Sequence, residues 1–202
     1  MILREGMKWT IPPAILSVIF LLMAVQNSKV LPVFLIFAAI TAIITLFFRD
    51  PERRIGDGVV SPADGTVLQI IKRDGYHEVH IFLNIYNVHV VRSPIEGTVV
   101  GVEDVSGGHK PAFARGAEKN RKVRVMIKEQ GHEWVVELVG GLLARKPISW
   151  VRVGDRVLKG ERIGMITFGS RVILRIPEAR AKILAKPNEK VVGGETTIGE
   201  FL

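Results

Sequence analysis

The step FGSR at residues 168–171 sets a glycine and a hydroxyl inside a run of β-branched and apolar residues that otherwise reads as one core strand. As structure, Gly169-Ser170 is a turn or bulge, because glycine tolerates positive φ and serine often accompanies it in tight connections. As chemistry, a serine hydroxyl is a weak nucleophile that needs a neighbouring base. Two acids, Asp64 and Glu96, hold equivalent places in the echoed motifs SPADGTV (61–67) and SPIEGTV (93–99), and either can be a turn residue bonding its own backbone. Of the five histidines, His77 and His80 are three apart on one predicted strand. They point to opposite faces and make a poor metal pair. His89, in NVHVV, is either a structural imidazole on a strand or a base. With no cysteine, disulfides and thiolate metal sites are excluded, and no metal site is expected.

Such residues need a scaffold. Residues 9–25 (WTIPPAILSVIFLLMAV) and 30–48 (VLPVFLIFAAITAIITLFF) carry no charge, and only QNSK separates them. Each approaches the length that crosses a bilayer, which predicts a helical hairpin at 1–49. A cleaved signal peptide is disfavoured by the second run, whereas Pro12 and Pro13 would suit a re-entrant form. Arg4 and Lys8 before the hairpin and Arg49, Arg53 and Arg54 after it, against Lys29 alone between the spans, place the rest of the chain on the cytoplasmic side of the cell membrane. The net charge of +8 is dispersed and no nucleic-acid signature accompanies it, so an anionic lipid surface is its expected counterpart.

From residue 50 to 202 short β-branched runs alternate with Gly, Pro, Asp and Asn. Strands are predicted at 66–72, 76–83, 88–92, 98–102, 122–128, 133–139, 162–167 and 172–176, with a long loop at 107–121. The echoed SP-x-x-G-T-V motif, and KGERIG (159–164) loosely answered by GGETTIG (193–199), predict a mainly β, pseudosymmetric domain of the barrel-sandwich-hybrid kind. A lipoyl or biotinyl carrier is excluded, because the sole Met-Lys pair, Met7-Lys8, precedes the first span.

FFRDPERR (47–54), SPADG (61–65), NVHVVRSPIEG (87–97), GLLARK (141–146), GDRVLKGERIGMITFGSR (154–171) and the terminal GGETTIGE together resemble the short form of the pyruvoyl-dependent phosphatidylserine decarboxylases, with archaetidylserine decarboxylases closely similar. The resemblance implies a proenzyme that cleaves itself between Gly169 and Ser170 into a β chain (1–169) and an α chain (170–202), which stay together as a heterodimer; a higher oligomer is left open. It implies that Ser170 becomes a pyruvoyl cofactor, which forms a Schiff base with the amine of phosphatidylserine and releases carbon dioxide to give phosphatidylethanolamine. His89 is then the base, Asp64 the acid that orients it, and Arg92, Arg145 and Arg171 are candidates for the lipid phosphate. Val91, Arg121 and 146–150 depart from the family pattern but touch none of Asp64, His89, Gly169 and Ser170. The rival class is a membrane-tethered β-hybrid module without enzymatic activity, in which Gly-Ser is only a bulge and the chain stays intact.

Overall fold

The computed structural model describes residues 4–141, 147–167 and 170–202, in two compact units, Met1–Glu52 and Arg53–Leu202. In the first, α1 (Arg4–Gln26) and α2 (Leu31–Phe47) are joined by a 3-10 turn at Ser28–Val30. Asn27 starts that turn by accepting a bond from the Lys29 backbone N–H, and a proline opens α2 where no amide donor is needed. The helices pack on each other, with the Phe20 and Phe37 rings stacked at 5.4 Å. Gly6 permits a close approach, since a Cβ there would lie 2.4 Å from Phe48 Cβ. Pro12 and Pro13 lie within a continuous α1, unlike the break that a re-entrant form would require. Both helices are long and apolar enough to cross a membrane.

The second unit contains β1 (Val59–Val60), β2 (Gly65–Arg73), β3 (Tyr76–Leu83), β4 (Val90–Arg92), β5 (Gly97–Val105), β6 (Lys122–Glu129), β7 (His132–Val139), β8 (Ile148–Ser149), β9 (Arg156–Val157), β10 (Arg162–Met165), β11 (Ser170–Pro177), β12 (Ala181–Ile183), β13 (Lys190–Val191) and β14 (Thr197–Phe201). They form an eight-stranded sheet, β13-β2-β3-β11-β7-β6-β5-β9, and two three-stranded ones, β1-β14-β12 and β4-β10-β8, with every strand pair antiparallel. The order is pseudosymmetric about the β11–β7 seam: β2, β3 and β13 answer β5, β6 and β9, and one small sheet answers the other. The echoed sequences mark this symmetry. Ser61 Oγ donates to the Ala63 carbonyl at 2.7 Å and Ser93 Oγ to the Ile95 carbonyl at 2.6 Å. The Gly194 and Gly160 amides donate to the Ser61 and Ser93 carbonyls, each at 2.8 Å. The mainly β pseudosymmetric fold expected from the repeats is therefore present.

Tight hairpins set the registers of β2–β3 and β6–β7. Their two-residue turns, Asp74-Gly75 (φ 52° and 78°) and Gln130-Gly131 (φ 45° and 86°), have the positive φ at both positions that matches strand twist. Alternate residues, including Val79, Ile81 and Leu83 on β3, Val172, Leu174 and Ile176 on β11, and Trp134, Val136 and Leu138 on β7, fill one apolar core.

At the central strands the opposite face of the long sheet is also buried, and there it carries charges. Glu137 is fully buried and meets Lys122 Nζ at 2.5 Å, Arg124 Nε at 2.8 Å and Arg175 Nη2 at 3.4 Å. Burial pushes the Glu137 carboxyl up, but the Lys122, Arg175 and Arg124 charges outweigh it and hold its pKa below the ordinary value. A depressed folded-state pKa gives stability that is present above the unfolded value, about 4.3, and is lost as pH falls through the folded one. Glu137→Ala would leave the buried Lys122 without its carboxylate, with Arg124 and Arg175 falling back on Glu103 and Glu78, and is expected to cost about 3 kcal/mol. Glu137→Gln should flatten the acid-side fall of the melting temperature. Thermal melts of both variants across an acid pH series check this.

Candidate active site

Ser170 opens β11 and shares the core-facing register of Val172, Leu174 and Ile176. It pairs with Leu83 of β3, whereas the β7 ladder begins one residue later, at Arg171↔Val139. Its Oγ is fully buried and has no hydrogen-bond partner among the described residues. A buried polar atom left unsatisfied costs about 1–3 kcal/mol and is rare in folded proteins. Gly169, the other half of the expected cleavage step, lies outside the described residues, as does Arg145.

His89 reaches this region by a short route. After β3 the chain turns through 84–87, where the Asn87 side chain accepts from the Asn84 amide at 2.8 Å and the Asn87 amide donates to the Asn84 carbonyl at 3.0 Å. The Asn87 carbonyl then meets His89 Nδ1 at 2.8 Å. A carbonyl only accepts, so Nδ1 carries the proton and, in the neutral ring, Nε2 carries the lone pair of a base. The His89 carbonyl accepts from the Ile166 amide at 3.1 Å, extending the β4–β10 pairing. Ile166 is four residues before Ser170, so the buried imidazole is anchored beside the segment that leads into β11.

Asp64 immediately precedes β2, at the sheet end where β3 finishes and β11 begins. Gly65 lets the strands close up there, since a Cβ would lie 2.2 Å from the Phe82 carbonyl oxygen. Both Asp64 oxygens accept from Arg53 Nη2, at 3.0 and 2.9 Å, and Oδ1 also accepts from the Gly193 amide at 2.8 Å. Arg53 and Gly193 thus hold the acid, and the Asn87 carbonyl holds His89 at Nδ1. Arg53 escaped sequence reasoning, which placed it with Arg49 and Arg54 as basic residues flanking the spans. Its side chain is only 10% exposed and neutralises Asp64. The need of a half-hidden acid for a counter-charge was the available signal.

The repeat partner of Asp64 has other surroundings. Glu96 is exposed and lines a recess of about 560 Å³ with Ile95, Glu129, Gln130, Lys159 and Arg180, where neither serine nor histidine is present. The fold thus separates two acids that the sequence left equivalent.

Arg92 and Arg171, two of the three candidate arginines, have partners within the chain. Arg92 is buried, with Nη1 donating to the Gly160 carbonyl at 3.0 Å. Arg171 follows Ser170 and so points to the opposite sheet face, where Nη2 donates to the Ala114 carbonyl at 3.2 Å and Nη1 lies 3.6 Å from Glu118. Burial lowers its pKa. His80, also buried on that face, contacts Glu78 and Gln69 at 3.4 Å each, and burial likewise lowers its pKa. No cluster suited to a metal ion occurs among the described residues.

The arrangement offers a sequestered hydroxyl and an imidazole of fixed tautomer, the components of nucleophilic attack on a nearby carbonyl. A family model described as phosphatidylserine decarboxylase matches residues 40–199. The chain is 37% identical to a "Putative archaetidylserine decarboxylase proenzyme" of Methanococcoides burtonii, over 99% of this chain and 96% of that protein. It is 39% identical to a "Phosphatidylserine decarboxylase proenzyme" of Streptomyces coelicolor, over 96% and 90%. The match takes in both His89, directly before β4, and β11, which begins at Ser170, and on that footing the chain belongs to the phosphatidylserine decarboxylase family.

Proposed function

We propose that this chain is a proenzyme that cuts itself between Gly169 and Ser170 and then decarboxylates a phospholipid with a serine head group. The observation that carries the reading is the Ser170 hydroxyl, buried and without a hydrogen-bond partner among the described residues, at the sheet end to which His89 is anchored. The names of the relatives support the same substrate class, with either a diacyl or an archaeal ether backbone.

In maturation, His89 Nε2 takes the Ser170 proton as Oγ attacks the Gly169 carbonyl carbon. The amide C–N bond then breaks, its nitrogen takes up the proton, and an ester remains. Loss of the Ser170 Cα proton expels the Gly169 carboxylate and leaves dehydroalanine, which adds water and releases ammonia to give a pyruvoyl terminus. Residue 170 suits this change, because no hydrogen bond to a described residue must be broken to free its hydroxyl. The pyruvoyl group supplies an electrophilic carbonyl that takes up an amine and accepts the electron pair left when carbon dioxide departs.

The chain supplies the rest. β3 holds residue 170 in register, the buried surroundings exclude water, and His89 Nε2 is the proton carrier of the site. Asp64, neutralised by Arg53, fixes the entry to β2 and ties it to the turn at Gly193. The helices anchor the chain in the membrane, and the excess of Lys and Arg outside the hairpin loop puts the catalytic unit on the cytoplasmic side.

The test is carbon dioxide release by the reconstituted protein from phosphatidylserine, from an ether lipid with the same head group, and from free serine. Release from either lipid ahead of free serine is expected. Preference for the ether lipid changes only the backbone, whereas faster turnover of free serine defeats the lipid assignment.

A further inference from the structure

The loop at 107–121 is ordered, and its neck is stapled by one buried side chain. Asn120 Oδ1 accepts from the Lys110 amide at 2.8 Å, while Nδ2 donates to the carbonyls of Lys110 at 2.7 Å and Gly140 at 2.8 Å. Its body is fastened to the sheet through the Ala114 and Glu118 contacts of Arg171, the neighbour of Ser170, and through a bond from Lys122 Nζ to the Glu118 carbonyl. A segment held this firmly nevertheless leaves Phe113 at its tip 68% exposed. The inner edge of that ring contacts Phe82, at 6.1 Å between centroids, and Phe82 pairs with Arg171 across the strands.

The turn that leads from β3 to His89 shows the same pattern. It is closed by its own asparagine bonds, with Asn84 Nδ2 also donating to Tyr86 Oη at 2.8 Å, yet Ile85 is 58% and Tyr86 68% exposed. Three large apolar side chains therefore rise from the Ser170 end of β3, on segments too well bonded to fold them inward. Lys110, Arg115 and Lys119 of the loop are exposed, whereas its one acid, Glu118, faces Arg171.

We propose that Ile85, Tyr86 and Phe113, with the lysines and arginine of the loop, form a docking face for an anionic lipid bilayer, through which a lipid head group is passed to the Ser170 site. The inference rests on the lipid-decarboxylase reading above. The occupant follows from chemistry: apolar and aromatic tips beside outward cations suit a surface that is anionic outside and hydrocarbon within. The chain also carries two helices apolar enough to reside in that membrane. Singly exposed apolar residues need no explanation, but three gathered at the end of β3 that pairs with Ser170, on hydrogen-bonded supports, do.

Because the chain has no cysteine, single-cysteine probes on the full-length protein are clean. A polarity-sensitive fluorophore at Phe113→Cys or Tyr86→Cys should shift to the blue and be quenched by brominated lipid in phosphatidylglycerol vesicles. One at Val153→Cys, equally exposed beside the opposite edge of the sheet, should do neither. In parallel, Tyr86→Ser/Phe113→Ser should cut carbon dioxide release from bilayer phosphatidylserine by about tenfold or more, the scale expected when a large apolar contact is lost. Self-cleavage, and turnover of a short-chain phosphatidylserine dissolved as monomer, should be unchanged. Probes that stay in water, or an equal loss on both substrates, would overturn the docking face. Probes equally buried in dilute detergent and cross-linking in pairs would assign it to a second copy and overturn it too. Failure of the wild type on every serine lipid would instead remove the decarboxylase reading, while the fluorescence still reports docking.

Discussion

Ser170→Ala should yield one uncut chain that releases no carbon dioxide from serine lipids and melts no lower than the uncut precursor that still carries Ser170. The three outcomes have one cause. Without Oγ nothing attacks the Gly169 carbonyl, so residue 170 never becomes a carbonyl, and decarboxylation falls to the uncatalysed level, a loss of at least about 10⁶-fold. The fold loses nothing, because the deleted hydroxyl has no hydrogen-bond partner among the described residues, and removing an unsatisfied buried polar group is neutral or stabilising. Intact mass, carbon dioxide release and a melting curve on one preparation suffice. Two fragments meeting at residue 170 in this variant would sink the assignment, as would a clear drop in melting temperature, which would make the hydroxyl structural.

The second large effect is expected at His89. His89→Gln should slow self-cleavage by about 10²–10⁴-fold, the range for removing a positioned general base, so that purified protein is mostly precursor. Asp64→Asn should act differently, because it takes from the Arg53 guanidinium, 10% exposed, its carboxylate partner at 2.9 Å and leaves only Glu195 at 3.6 Å. It should lower the melting temperature as well as the extent of cleavage. Glu96→Gln, in the exposed counterpart, should change neither. Normal processing in Asp64→Asn together with failure in Glu96→Gln would move the acid to the other half of the repeat.

What the sequence made legible was what local chemistry decides. Charge-free runs of sufficient length gave the two helices, and alternation with turn residues gave β3 with both its ends and β2, β5, β6, β7 and β11 to within about three residues. The two-residue strands β1, β8, β9 and β13 were invisible, since so short a stretch has no periodicity and is held only by its partner. The repeat announced the pseudosymmetry, because each copy needs a serine to close its turn and a glycine where strands converge. Partners distant in sequence could not be read. The Arg53–Asp64 pair and the loop contacts of Arg171 depend on register and on which face a residue takes, and a shift of one position reverses the face.

The position of β11 bears on how the protein is made. It lies inside the eight-stranded sheet between β3 and β7, and the residues from 170 onward also pair β13 with β2 and β14 with β1 of the preceding part of the chain, β12 adding to β14. On the proposed cleavage, the break falls after these ladders have formed, so the short piece remains held as two interior and peripheral layers of one body. Reversibility is then lost at the moment of maturation. An uncut chain regains its fold as a unimolecular event, whereas the mature pair, once melted, must find a separate 170–202 piece by diffusion, and its interior strand is an aggregation-prone edge until it does. The mature protein should therefore owe its lifetime to a slow rate of opening rather than to an equilibrium it can revisit.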